Sequence, residues 1–221
     1  MSSNPEPKSN AGSVVGVVIA GGRSVRFGGE KAAAVLAGRP LLMWATKRLQ
    51  RTCSAVAVNT RPDTEAAALA RAEGLIVLHD APGDAAGPLA GVKAALTWAQ
   101  SCGASSVAVS PCDVPLLPDD LFTRLINAAA SGAAIAETSD GRQPLCAVWP
   151  VSALAKVTAA LAGGAHPPTW LMLENIGATP VHFQSPESFA NINTRADLAA
   201  IAGHLEREDW ERSARFKKPQ T

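Results

Sequence analysis

Residues Val14–Ala20 read VVGVVIA, and the eleven residues that follow, 21–31, read GGRSVRFGGEK. The first stretch is an almost unbroken apolar run. Such a run suits a strand buried on both faces of a parallel sheet, where neither side chain direction meets water. The second stretch holds four glycines, Gly21, Gly22, Gly28 and Gly29, and three cations, Arg23, Arg26 and Lys31. Glycines let backbone approach a ligand closely and offer N–H groups to an anion. The cations stand where a polyphosphate would need them. The stretch lacks the Gly-Lys-Ser/Thr triplet of a Walker A loop and is not a G-x-G-x-x-G fingerprint. A surface loop with incidental charge is the bland alternative, and its placement directly after the strand argues against that.

Working outward, short apolar runs alternate with helical patterns. Pro40 opens the helical stretch LLMWATKRLQR, since proline fits a first helical turn. Ser54–Asn59 reads as a strand, Asp63–Glu73 as a helix and Leu75–His79 as a strand. Pro88–Gln100 reads as a helix and Ser106–Ser110 as a strand. Pro118, Asp119 and Asp120 open another helix, with acids at the positive end of its dipole. Ala133–Glu137 and Pro144–Trp149 read as strands, Val151–Leu161 and Thr169–Ile176 as helical stretches, Pro180–Phe183 as a strand and Thr194–Leu205 as a last helix. Strands alternating with helices imply an α/β fold with a parallel sheet covered on both faces. Ligands of such sheets sit beyond the carboxyl ends of the strands, at a switch in strand order. That rule directs attention to the residues just after Ala20, Asn59, His79 and Ser110.

After the third strand comes Asp80, then APGDAAGPLAG, where Gly87 and Gly91 bracket Pro88 at a helix start. A glycine-flanked helix N-terminus lets a flat base or a phosphate lie against backbone. Asp80 alone also reads as a turn-forming aspartate before a proline loop. After the fourth strand comes Pro111-Cys112-Asp113-Val114-Pro115. The two prolines stiffen the chain and aim one carboxylate at the cleft. Asp113 could hold Mg²⁺, a hard cation that uses one or two carboxylates plus substrate phosphates. Cys112 has no paired histidine and reads as a small buried residue rather than a nucleophile. Near the end, Thr194 with Asp197 three residues on reads as a helix cap, which leaves Asn191 and Asn193 without a structural job.

The 221 residues suggest one domain with small appendages. A leader over 1–13, a domain over 14–205 and a charged tail over 206–221 are the expected divisions; the tail either frays or docks through Trp210. With 47% hydrophobic and 18% charged residues the bulk of the chain is not disordered. Twenty Lys and Arg against 19 Asp and Glu leave a net charge of +1, which argues against a nucleic-acid partner. No apolar run reaches the ~18 residues that span a bilayer, so no membrane partner is expected. Met1–Ala11 carries no apolar signal core, which suggests a cytoplasmic protein. Cys53, Cys102, Cys112 and Cys146 form no C-x-x-C pair and read as reduced and mostly buried. His79, His166, His182 and His204 are too scattered to suggest a shared metal.

Five pieces, IAGGRSVRFGGEK, GPLAG at 87–91, PCDVP at 111–115, QPLCAVW at 143–149 and NINT at 191–194, together resemble the molybdenum-cofactor guanylyltransferase family. Order and spacing match over roughly residues 14–203. The resemblance implies a Rossmann-like three-layer sandwich with a mostly parallel sheet. It implies transfer of GMP from GTP to the molybdopterin phosphate, with release of pyrophosphate, and molybdoenzyme chaperones as further partners. By position, Ile19, Ala20, Gly21, Lys31, Asn59 and Asp80 would bind the nucleotide, with Gly22, Gly87 and Gly91 beside them. Asp113 would bind Mg²⁺ and the phosphates, and Asn191 and Asn193 would sit near the metal or the second substrate. Lys31, Arg26 and Asp113 would be the catalytic set. The chain has Glu30-Lys31 where the family usually has Asp-Lys, and Gln143 where histidine is common. The stretch HPPTWLMLENIGATPV, often more basic in the family, carries no Lys or Arg here.

The residues are consistent with such chemistry. An acceptor phosphate is already ionised at neutral pH, so no strong base is required. The barrier lies in joining two anions and stabilising a leaving pyrophosphate. Two rivals stand beside this reading: a CTP-dependent or other transferase of the same superfamily, and a nucleotide-binding module without turnover.

Overall fold

A computed structural model of the protein describes residues 13–21, 27–84, 87–203 and 205. Gly22, Arg23 and Arg26, the leader up to residue 12 and the tail from Glu206 lie outside these residues. Strand β1, Val14–Ile19, is buried on both faces, as its unbroken apolar run requires. Its side chains alternate: Val15 and Val17 enter one core, Val18 the other. Fully burying each valine is worth about 1.5–3 kcal/mol. Gly16 breaks the run for a packing reason. A side chain there would start 3.1 Å from Leu49 Cβ and 3.1 Å from Cys53 Sγ.

A hairpin of β2 (Val35–Leu36) and β3 (Arg39–Pro40) leads into α1, Leu41–Gln50. Next come β4 (Val56–Asn59), α2 (Glu65–Ala72), β5 (Ile76–Leu78), α3 (Pro88–Ser101) and β6 (Ser106–Pro111). The second half holds α4 (Leu121–Ala128), β7 (Ala134–Thr138), β8 (Gly141–Pro150), α5 (Leu154–Leu161), α6 (Thr169–Asn175) and β9 (Thr179–His182). A last helix, α7, covers 195–203.

Seven strands form one sheet in the order β5-β4-β1-β6-β8-β7-β9. All neighbours pair in parallel except at β8, which runs against both β6 and β7. Helices α1, α2 and α4 cover one face, through Leu42, Leu49, Ala66, Ala70, Phe122 and Leu125. Helices α3, α5 and α6 cover the other, through Leu89, Leu96, Val157, Leu161, Met172 and Leu173. The expected α/β three-layer sandwich with a mostly parallel sheet is therefore present. The chain runs outward from β1 through β4 to β5, then returns to β6 on the opposite side of β1. That reversal is the switch point where such sheets open a crevice. Register sharpens it: Ile19 pairs with both Asn59 and Pro111, and Asn59 with Leu78. Four strands thus end in one row.

Several boundaries differ from the sequence reading. The helix expected from Asp63 starts at Glu65, because Asp63 has φ +58° and the Thr64 hydroxyl caps Ala67 N–H at 3.2 Å. Pro40 lies just before α1 and closes the hairpin rather than filling the first turn. The sequence reading does not contain that hairpin; its turn has two successive positive φ angles, at Ala37 (47°) and Gly38 (74°), as type I′ turns require. β8 begins at Gly141, three residues before the expected start, because the Ser139–Asp140 turn pairs it directly with β7.

Candidate active site

Beyond the row of strand ends lies a cleft of about 390 Å³. Ile19, Ala20 and Gly21 form its floor after β1; Asn59 and Asp80 come from β4 and β5; Gly87 and Pro88 come from the start of α3; Asp113 follows β6. Lys31 reaches in from the glycine-rich segment. Its Nζ donates to Asp113 Oδ2 at 2.8 Å and to Asn193 Oδ1 at 3.1 Å. The lysine and aspartate side chains are only 14% and 23% exposed, so this pair is screened less than a surface one.

Asp113 is held from several sides. Ile192 N–H donates to its backbone carbonyl at 2.9 Å, which ties the C-terminal segment to the end of β6. Two residues on, the Pro115 carbonyl accepts from Arg48 Nη1 and Nη2, both at 3.3 Å. Burial pulls the Arg48 pKa below its ordinary value, with Asp119 opposing. Asn193 is set by the cap of α7. Asp197 Oδ2 accepts the N–H groups of Asn193 and Thr194 at 2.8 Å each, and Thr194 Oγ1 accepts Asp197 N–H at 3.1 Å. This is the reciprocal cap read from Thr194 and Asp197, and it also orients Asn193. Those backbone donors, Asn193 first, hold the Asp197 carboxyl below its usual range.

At the other end, Asn59 is nearly inaccessible and donates through Nδ2 to Asp80 Oδ1 at 3.0 Å. Gly91 is buried behind that wall and does not line the cleft. A side chain on it would start 2.6 Å from Asn59 Oδ1. Its smallness seats α3 against Asn59 and so positions the pair from behind. Asn191 is exposed and has no polar contact among the described residues, whereas Asn193 reaches Lys31. Gly22 and Arg26 lie outside the described residues.

Sequence reasoning missed three lining residues and one neighbour. Arg61 lies on the cleft two residues beyond β4, where the strand-end rule points. Asp84 lines it too, but is matched by Lys93 Nζ at 2.8 Å. Leu145 adds an apolar wall from β8. The imidazole of His166 packs where a Gly87 side chain would begin; no local signal ties these residues together. Glu30 lines the cleft as well, and its Oε2 accepts Ala66 N–H at 3.2 Å at the start of α2. Cys112 lines it without serving as a nucleophile, since burial, helped by the Asp113 charge, pushes its thiol up to about 12.

The oxygens fit a hard divalent cation. Lys31 Nζ shows that Asp113 Oδ2 and Asn193 Oδ1 converge on one cationic point. One carboxylate and one amide oxygen, open to a phosphate-sized cleft, form the sparse oxygen set that Mg²⁺ accepts beside substrate.

Comparison with known proteins follows the same lines. Residues 16–174 match the family model described as MobA-like NTP transferase domain. The chain is 34% identical over 194 residues to a molybdenum cofactor guanylyltransferase of Cereibacter sphaeroides, covering 87% of this chain and 97% of that one. It is 35% identical to the protein of the same name from Rhodobacter capsulatus, covering 87% and 96%. The molybdopterin-guanine dinucleotide biosynthesis protein A of Archaeoglobus fulgidus has a similar structure, with TM-score 0.68, 23% identity and coverage of 87% and 98%. So does 4-diphosphocytidyl-2C-methyl-D-erythritol synthase of Anaerococcus prevotii, with TM-score 0.70, 15% identity and coverage of 88% and 97%. At these identities the two structures speak for the fold.

Proposed function

The chain belongs to the MobA-like NTP transferase family and is a nucleotidyltransferase; from that premise we propose that it transfers GMP from GTP to the terminal phosphate of molybdopterin. An oxygen of the pterin phosphate attacks the α-phosphorus of GTP, a new P–O–P bond forms, the α–β bond breaks and pyrophosphate leaves. The guanylyltransferase relatives support the choice of nucleotide and acceptor. The observation that carries the reading is the convergence of Lys31, Asp113 and Asn193 at the switch point, opposite the Asn59–Asp80 pair in the same cleft.

Lys31 places a mobile positive charge where charge collects on the leaving pyrophosphate. Once Lys31 Nζ turns from them to phosphate, Asp113 and Asn193 would hold Mg²⁺, which would supply charge neutralisation. Ile19, Ala20 and Gly21 bring bare backbone up to the nucleotide. Arg61 adds a cation on the same wall. Asp80 spends one oxygen on Asn59 and keeps the other as an acceptor. Guanine offers N1–H and N2–H₂ donors to such an acceptor and to backbone carbonyls near Gly87. Adenine lacks that donor pair, leaving acceptors unsatisfied at roughly 1–3 kcal/mol each. No base is needed, because the attacking phosphate is already an anion.

The test is pyrophosphate release from purified protein with molybdopterin, Mg²⁺ and GTP, ATP or CTP in turn. GTP should be preferred by at least tenfold. Equal rates with CTP would overturn the guanylyl assignment. A binding module would gain heat stability with GTP and Mg²⁺ yet release no pyrophosphate.

A further inference from the structure

Two residues beyond Asn193, Arg195 opens α7. Its guanidinium carbon lies 5.4 Å from the centroid of the Phe27 ring. Its Nη2 lies 3.8 Å from the point where a Gly29 side chain would begin. Phe27 is itself locked in a small core with Leu36, Leu41 and Ile192. The guanidinium is thus pinned over the segment that leads to Lys31.

Apart from the Phe27 ring, the described residues give a cation no partner there. The first turn of a helix disfavours positive charge. Among the described residues no carboxylate pairs with Arg195. The acid nearest in sequence, Asp197, turns its Oδ2 to two backbone N–H groups instead. The side chain is exposed, so its donors are free to meet a ligand. Its place is also informative. Arg195 does not line the Gly87 end of the cleft, but it stands two residues from Asn193, whose Oδ1 accepts from Lys31 Nζ.

We propose that Arg195 binds the phosphate monoester of the second substrate. This rests on the nucleotidyl-transfer reading and deepens it. A phosphate dianion must be brought against a triphosphate, and the repulsion between them has to be met on the acceptor side as well as on the nucleotide side. A planar guanidinium already resting against an aromatic ring offers a paired donor fork with less left to order than a free side chain has. The acceptor phosphate loses one negative charge when it becomes a phosphoanhydride, so Arg195 grips substrate more firmly than product.

Arg195→Met keeps the aliphatic stem on Phe27 and removes the charge; Arg195→Lys keeps the charge and removes the fork. For Arg195→Met we expect the KM for molybdopterin to rise at least tenfold, while kcat and the Kd for Mg²⁺-GTP stay within twofold. Arg195→Lys should recover part of the loss. An unchanged molybdopterin KM overturns the proposal, and so does an equal loss of GTP affinity, which would mark a nucleotide contact or a structural prop. If the unmodified protein transfers nothing from GTP to molybdopterin, the parent reading fails and this proposal with it; that failure appears before any variant is compared.

Discussion

Asp113 and Lys31 form a pair whose two halves should fail differently. Asp113→Asn keeps the shape and removes the charge that faces Lys31 and would draw a divalent cation. Turnover should fall at least a hundredfold, about 2.7 kcal/mol in barrier terms, with an unchanged melting curve; near-normal pyrophosphate release would refute the assignment. Lys31→Ala should lower turnover and weaken GTP binding while leaving molybdopterin binding within about twofold, read by titrating each substrate separately. If the pterin affinity falls instead, the two substrates lie the other way round in the cleft. Most residues of this centre were readable from the chain. Ala20, Asn59, Asp80 and Asp113 each stand at or just beyond a strand end, and the strand-end rule needs no knowledge of the fold's second half. What escaped were contacts made by distant segments. Gly91 looked like a ligand contact and is a spacer behind Asn59. His166 was set aside as one of four scattered histidines, yet it packs on Gly87 from across the chain. Nothing local announces such meetings.

Among the elements, β1 and α7 place the site most directly. At Gly16, α1 comes close against β1. A valine there would drive branched carbons into Leu49 Cβ, which is fixed to the helix backbone and cannot rotate away. Gly16→Val should cost about 1–3 kcal/mol, as overpacked cores do, measured as a lower urea midpoint at unchanged slope. The cap of α7 carries a pH dependence. The folded Asp197 carboxyl lies below its ordinary value of 3.8. Its contribution is therefore complete at neutral pH and is lost as pH falls through about 4 and below. Asp197→Ala should make that part of the acid sensitivity disappear and lower turnover several-fold at neutral pH, because Asn193 loses its backbone anchor. A variant with wild-type turnover would show that Asn193 is held without the cap. Buried strands and helices with clear apolar periodicity were legible. The β2–β3 hairpin was not, since Val35–Leu36 and Arg39–Pro40 are too short to show alternation and Ala37 is an unusual turn residue. The reversed direction of β8 was equally hidden, because an apolar run reads the same whichever way the strand lies.

Over the whole molecule, the four cysteines are free thiols that report on different depths. Cys102 is exposed, while burial raises the thiols of Cys53 to about 11 and Cys112 to about 12, and pushes Cys146 higher still. Iodoacetamide should modify Cys102 readily, the half-buried Cys53 and Cys112 slowly, and Cys146 only as the sheet opens, so peptide mapping along a urea titration should show one fast site, two slow ones and one that follows unfolding. Fast modification of Cys146 in native protein would contradict the two-faced core. The bond from Lys31 to Asn193 spans 162 positions of the chain, and that separation matters during synthesis. A ribosome adding roughly 5–20 residues per second delivers the glycine-rich segment early and its last partner only near the end. Until Ile192 docks on Asp113, the nascent chain lacks the Asn193 contact to Lys31. The Lys31–Asn193 contact therefore forms only after the sheet that supports it has been made.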